Sequence, residues 1–137
     1  MNSSFSQFNQ EMTVLPISTI EDLVSAHYEK VFSLLDTFFE DHRVSLEHTE
    51  NAFRAMQNAD KLNTHDLYQL AVDCIFQNYQ EKQTTGGLPT GDAMCFLLKE
   101  VGRLRYNEIA DITGYTREDV KLHIARARKV LIDRMAH

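Results

Sequence analysis

Tryptophan is absent from this 137-residue chain, which holds only two cysteines, two prolines and five glycines. Cys74 and Cys95 form no CxxC pattern, and each lies among apolar residues at helical spacing, Leu70, Ala71 and Ile75 round the first and Leu98 beside the second. Buried free thiols are therefore expected, with no disulfide and no metal site. There is no Gly-rich phosphate loop and no HExxH motif, and Gly86 and Gly87 stand in a linker-like run rather than between a strand and a helix. His27, His42, His48 and His65 fall on separate helices or joints, with no ligand pair at four-residue spacing. The chain is read as no enzyme and as needing no cofactor. No apolar run approaches the ~20 residues of a membrane span. The opening MNSSFSQFNQEM lacks the basic and apolar regions of a signal peptide. A cytoplasmic protein with no membrane partner is expected.

What is present is an ordinary globular composition, 43% hydrophobic, enough for one moderate core or two small helical ones. The net charge of −6 conceals an asymmetry: residues 1–99 carry 14 acids against 6 bases, whereas residues 100–137 carry 6 acids against 8 bases. Any nucleic-acid contact therefore belongs to the C-terminal part. That part is only mildly basic, so tight binding to DNA by the chain alone is not expected.

The periodicity is helical throughout, and no strand pattern competes with it. Residues 1–17 are polar and Ser/Asn/Gln-rich and read as a flexible tail. Ser18 with Glu21 suggests a capping box for a first helix ending near Glu40, with Ile20, Leu23, Val24, Val31, Leu34, Leu35 and Phe38 inward. A second helix is expected over residues 45–58, turning Leu46, Thr49, Phe53 and Met56 inward. A third is announced by Asn63 with Asp66 and a Leu62/Leu67 staple, and its stripe is Leu67, Leu70, Ala71, Cys74 and Ile75, with Tyr79 closing it. The run EKQTTGG then marks a joint. The fold class is all-α with two small helical domains: a three-helix bundle over 18–82, a linker over 83–89, and a helical domain over 90–137.

The last third has the punctuation of a helix-turn-helix. A helix from about Thr90 is stopped by Gly102, and a short one over residues 106–113 turns Ile109, Ala110 and Ile112 inward. Gly114 supplies a left-handed stop. Thr116 with Asp119 caps a final helix from Arg117, and Tyr115 can staple onto Val120. That helix buries Val120, Ile124, Ala127 and Leu131 and turns Arg117, Lys121, Arg126, Arg128 and Lys129 outward. Such a helix can lie in the major groove, its first side chains on base edges and its later arginines on phosphates. A solvated basic face on a packed helix is the plainer alternative.

In order and spacing, these residues resemble region four of extracytoplasmic-function sigma factors: Leu88 with Pro89, FLLKEV over 96–101, Tyr106 with Glu108, Ile109 and Ala110, Val120 with Lys121, and RARKVL over 126–131. The N-terminal bundle resembles sigma region two through Tyr28 with Val31, the run Phe53, Arg54, Ala55, and Leu67 and Tyr68 with Leu70 and Ala71. The resemblance implies RNA polymerase core and promoter DNA as partners. Region two of that family holds the core and opens the minus-ten element, and region four reads the minus-thirty-five element. On this basis DNA contacts are expected from Arg117, Lys121, His123, Arg126, Arg128 and Lys129, and protein contacts from Glu47, His48, Glu50, Asn51, Phe53 and Leu122.

Departures from the family pattern support a second reading. Glu47, His48, Thr49, Glu50 and Asn51 stand where members have Asp-Leu-Val-Gln-Glu, so two apolar positions have become polar. Asp66, Gln69 and Val72 replace the usual Trp and Arg, leaving few stacking platforms or cations for strand separation. Leu122 and His123 replace a small polar residue and an Arg, and Arg105 replaces a capping Ser. A sigma mimic that binds an anti-sigma factor or another transcription protein without melting promoters is the alternative to a working sigma factor. A free-standing dimeric repressor would need a dimer surface; the helix over residues 20–39 is apolar enough to supply one, though burial in the bundle is the plainer account.

Overall fold

The computed structural model describes residues 17–78, 85 and 87–136. Nearly all of the expected tail, Tyr79 and most of the expected joint lie outside the described residues. The described residues form six helices: α1 Ile20–Phe39, α2 His42–Asn58, α3 Thr64–Asn78, α4 Thr90–Glu100, α5 Tyr106–Thr113 and α6 Arg117–Met135. The all-helical expectation holds, with an N-terminal helix cluster followed by a helix-turn-helix.

The cap of α1 sits one residue later than expected. Thr19, in an extended conformation, accepts the Asp22 N–H at 3.1 Å, and the Ser18 hydroxyl donates to the Asp22 carboxylate at 3.0 Å. Ser18 thus serves the cap from outside, and the pairing of Ser18 with Glu21 is replaced by Thr19 with Asp22. Hydrogen bonds from Ser18, backbone first and hydroxyl second, hold Asp22 below the ordinary carboxylate range.

α2 begins three residues earlier than expected, because the Asp41 carboxylate accepts both the Arg43 and Val44 N–H groups. The face it buries is also turned: Ser45 and Thr49 are fully buried while Leu46 is 42% exposed. Hydrogen bonding makes the exchange tolerable, since Ser45 Oγ donates to Asp36 at 2.9 Å and Thr49 Oγ1 to the Ser45 carbonyl at 2.7 Å. Glu40, with φ 55°, closes α1 and lets α2 fold back along it.

α3 starts as expected, with Asn63 and Asp66 bonding reciprocally. Its buried face is wider than one stripe: Leu67, Tyr68, Ala71, Val72 and Ile75 are buried, and Leu70 and Cys74 are half-buried. The cause is tertiary, because α3 packs on α1 and α2 on one side and on α5 on the other. Tyr68 occupies this junction, its hydroxyl 3.2 Å from His27 Nδ1 and its ring edge-on to that imidazole. Gly102 leaves room for it, since a Cβ there would stand 2.8 Å from the Leu98 carbonyl and 3.3 Å from the Tyr68 ring. Gln69 donates to the Ile112 carbonyl at 3.0 Å and His65 meets Asp111 at 2.6 Å, so the two halves touch along α3 and α5. Leu23, Leu35, Leu67, Leu98 and Ile109 are wholly buried in the continuous core this creates. Each such side chain contributes about 1.5–3 kcal/mol through loss of apolar surface to water.

Candidate nucleic-acid interface

The helix-turn-helix is built by short-range chemistry. Glu108 reaches back to the Arg105 N–H at 2.9 Å, half of a capping box; the guanidinium of Arg105 has no acceptor to supply the other half. Gly114, at φ 84°, closes α5 and has open space around it. Here the glycine is required by backbone conformation rather than by crowding. Gly102 is the opposite case, for the left-handed residue ending that turn is Arg103, at φ 60°. Thr116 accepts the Asp119 N–H at 3.1 Å and starts α6, as expected. Val120, Ile124 and Ala127 are buried against α4 and α5, and Leu131 is half-buried.

The six residues of α6 expected to meet DNA fall into three groups. Arg117 and Lys121 are exposed and converge on the half-buried Tyr106 ring, with the Arg117 Cζ 6.0 Å and the Lys121 Nζ 5.7 Å from its centroid. Lys99, from the end of α4, joins them at 4.8 Å. None of the three makes an ion-pair contact with a carboxylate among the described residues, though Lys99 is weakly attracted to Glu100. Arg128 and Lys129 are exposed but paired, Arg128 with Glu100 at 2.8 Å and Lys129 with Asp133 at 3.2 Å. The Arg128 hydrogen bond is the main reason Glu100 stays below its ordinary pKa.

His123 and Arg126 form the third group and turn toward α4. His123 Nδ1 lies 2.6 Å and Arg126 Nη2 3.2 Å from one oxygen of Asp92, which is 1% exposed. The Tyr115 ring lies 4.8 Å from that of His123. Periodicity places His123 and Arg126 on α6 but gives no hint of Asp92, 31 and 34 residues away in the chain. Lys99 and Tyr106 were likewise missed as members of the cationic site. The signal for them was chemical rather than periodic: an aromatic side chain at the first turn of a helix whose neighbours bring cations.

The expected protein-binding residues do not share one surface. Glu47, Glu50 and Asn51 are exposed on α2, with Glu50 3.5 Å from the Tyr28 hydroxyl and Asn51 accepting from Arg54 at 2.9 Å. His48 is half-buried and stacks on Phe39, with ring centroids 5.0 Å apart. Phe53 is buried, 6% exposed, and stacks on Tyr28, so its ring joins α1 to α2 and is not offered to a partner. Leu122, 51% exposed, lies far along the chain on α6. Cys74 is half-buried and Cys95 buried, both free; burial first and the charge of Asp92 second push the Cys95 thiol up to about 12. No cluster of three or more metal-ligating side chains occurs among the described residues, and no described helix is long and apolar enough to cross a membrane.

Residues 83–131 match the family model described as Sigma-70, region 4. The match covers α4, α5 and nearly all of α6, and none of α1–α3. The C-terminal half therefore carries a sigma region 4 helix-turn-helix, a module of a non-enzymatic family. No curated protein sequence matches the chain.

Proposed function

We propose that this chain is a divergent cytoplasmic sigma factor of the extracytoplasmic-function type, which meets promoter DNA through the first turns of α6 and RNA polymerase core through the acidic face of α2. The observation that carries the reading is the convergence of Lys99, Arg117 and Lys121 on Tyr106. Three cations around one ring repel each other, and the ring quadrupole offsets only part of that. A backbone phosphate offsets the rest, and the positive end of the α6 dipole points the same way. Arg128 and Lys129 lie further along the helix and must exchange a carboxylate for a phosphate before they contribute.

The test is fluorescence anisotropy with a labelled promoter-length duplex over a range of salt concentrations. Lys121→Ala and Arg117→Ala are each expected to weaken binding and to flatten the log–log salt slope by about 0.9, one phosphate's worth. Unchanged slopes in both would move this face to a protein interface.

The mimic reading has its own support. Leu122 is half-exposed on α6, and Asp66, Gln69 and Val72 are engaged in capping and in packing against α5 rather than presented to single-stranded DNA. Under this reading Leu122→Glu abolishes binding to an anti-sigma-like partner and leaves the circular dichroism spectrum unchanged. Co-elution with RNA polymerase core on gel filtration supports the sigma reading over it.

A further inference from the structure

Asp92 is the only charged residue buried among the described residues, and both of its side-chain partners come from α6. A carboxylate removed from water persists only where it is paired and hydrogen-bonded. The seat is shaped for this pairing. A Cβ on Gly91 would lie 2.8 Å from His123 Cε1, so the glycine admits the imidazole, and the Tyr115 ring packs beside it. His123 is 18% exposed at its side chain and Arg126 51%, which leaves Arg126 beside the proposed DNA face yet bonded to α4.

We propose that Asp92 is an internal competitor for nucleic-acid phosphate: it holds Arg126, with His123 as its second partner, so that Arg126 does not count among the phosphate-neutralising cations of α6. A phosphate that captured Arg126 would leave the Asp92 carboxylate buried with His123 alone. Arg117 and Lys121 have no such counter-ion and are engaged first. Asp92 is thus a positioning residue that sets how many phosphates the helix neutralises, and the proposal rests on the DNA-binding reading above.

The experiment measures the salt slope on a fluorescein-labelled mixed-sequence duplex for the full chain and for Arg126→Ala, Asp92→Asn, the double variant and Lys121→Ala. Arg126→Ala alone is expected to leave the slope unchanged, and Asp92→Asn to steepen it by about 0.9, the increment for one more phosphate. The double variant returns to the wild-type slope. A carboxylate with a merely structural role would weaken binding on removal without steepening the slope, and Arg126→Ala would reverse nothing. The proposal is overturned if Arg126→Ala flattens the slope in the wild-type background, or if folded Asp92→Asn fails to steepen it. Should Asp92→Asn not fold, the Arg126→Ala arm decides alone, because that side chain is half exposed. Lys121→Ala separates the two levels: a slope that responds to it keeps the DNA reading whatever Asp92 does. A wild type that binds no duplex removes both.

Discussion

The two halves use charge in opposite ways. In α1–α3 four aspartates are spent on the fold: the Asp22, Asp41 and Asp66 carboxylates accept hydrogen bonds at helix starts, and Asp36 holds Ser45 and His42 across the α1–α2 turn. In α4–α6 the helices are shorter, 11 and 8 residues before the last, and a row of cations stands on a small apolar footing, three of them gathered round Tyr106 with no ion-pair contact among the described residues. Local charge satisfied by backbone N–H groups stabilises structure, whereas unsatisfied charge of one sign on one face is what a polyanion can use. By this criterion the aspartates that bond within the bundle are scaffold, and the proposed polyanion-binding face falls in the mildly basic half.

The comparison breaks if the halves are not separable in this way, and Tyr68 is where they join. Tyr68→Ala removes a fully buried ring from the junction of α1, α3 and the turn at Gly102, and should cost about 3–5 kcal/mol. A single calorimetric transition shifted downward is expected, because one core runs through both halves. Two resolved transitions, with the helix-turn-helix melting at its wild-type temperature, would show that the contact between α3 and α5 contributes little.

A pH titration sharpens the contrast at intermediate size. Burial, aided by the charge of Lys30, depresses the His27 pKa below its ordinary 6.5. The unfolded chain therefore takes up the proton first as the pH falls, so the His27 contribution is complete above 6.5 and declines from there toward the depressed folded value. Denaturant midpoints should fall between neutral and mildly acid pH in the wild type, and His27→Gln should remove that slope. Retention of the slope in the variant would place the proton elsewhere.

Much of this fold was legible from local chemistry. Asn63 with Asp66, Thr116 with Asp119 and the left-handed Gly114 all lie where the chain's punctuation puts them, because a cap needs residues no more than four positions apart. The misses have non-local causes. Leu46 is exposed because Ser45, bonded to Asp36 of α1, takes the inward place, and Tyr68 is buried because His27 of α1 and the turn at Gly102 close on a face of α3 that periodicity assigns to solvent. In the site, Arg117 and Lys121 were readable as outward cations. The fate of His123 and Arg126 was not, since it depends on a carboxylate in another helix.

The smallest expected effect tests the cationic half from its edge. Glu100 pairs with Arg128 in the open, both side chains more than 40% exposed, so Glu100→Gln should change stability by no more than about 0.5 kcal/mol. Its folded pKa is depressed, so the pair's small contribution is present above the ordinary 4.5 and is lost only as the pH falls through the lower value, well below the window of His27. Acid should therefore loosen the bundle before it touches this pair. The larger consequence lies in binding: with Glu100 neutral, Arg128 has no carboxylate to leave before it meets a phosphate, and the salt slope on duplex DNA should steepen while stability hardly moves. A steeper slope without a stability change would mark Arg128 as a cation held in reserve. An unchanged slope would confine the interface to Lys99, Arg117 and Lys121.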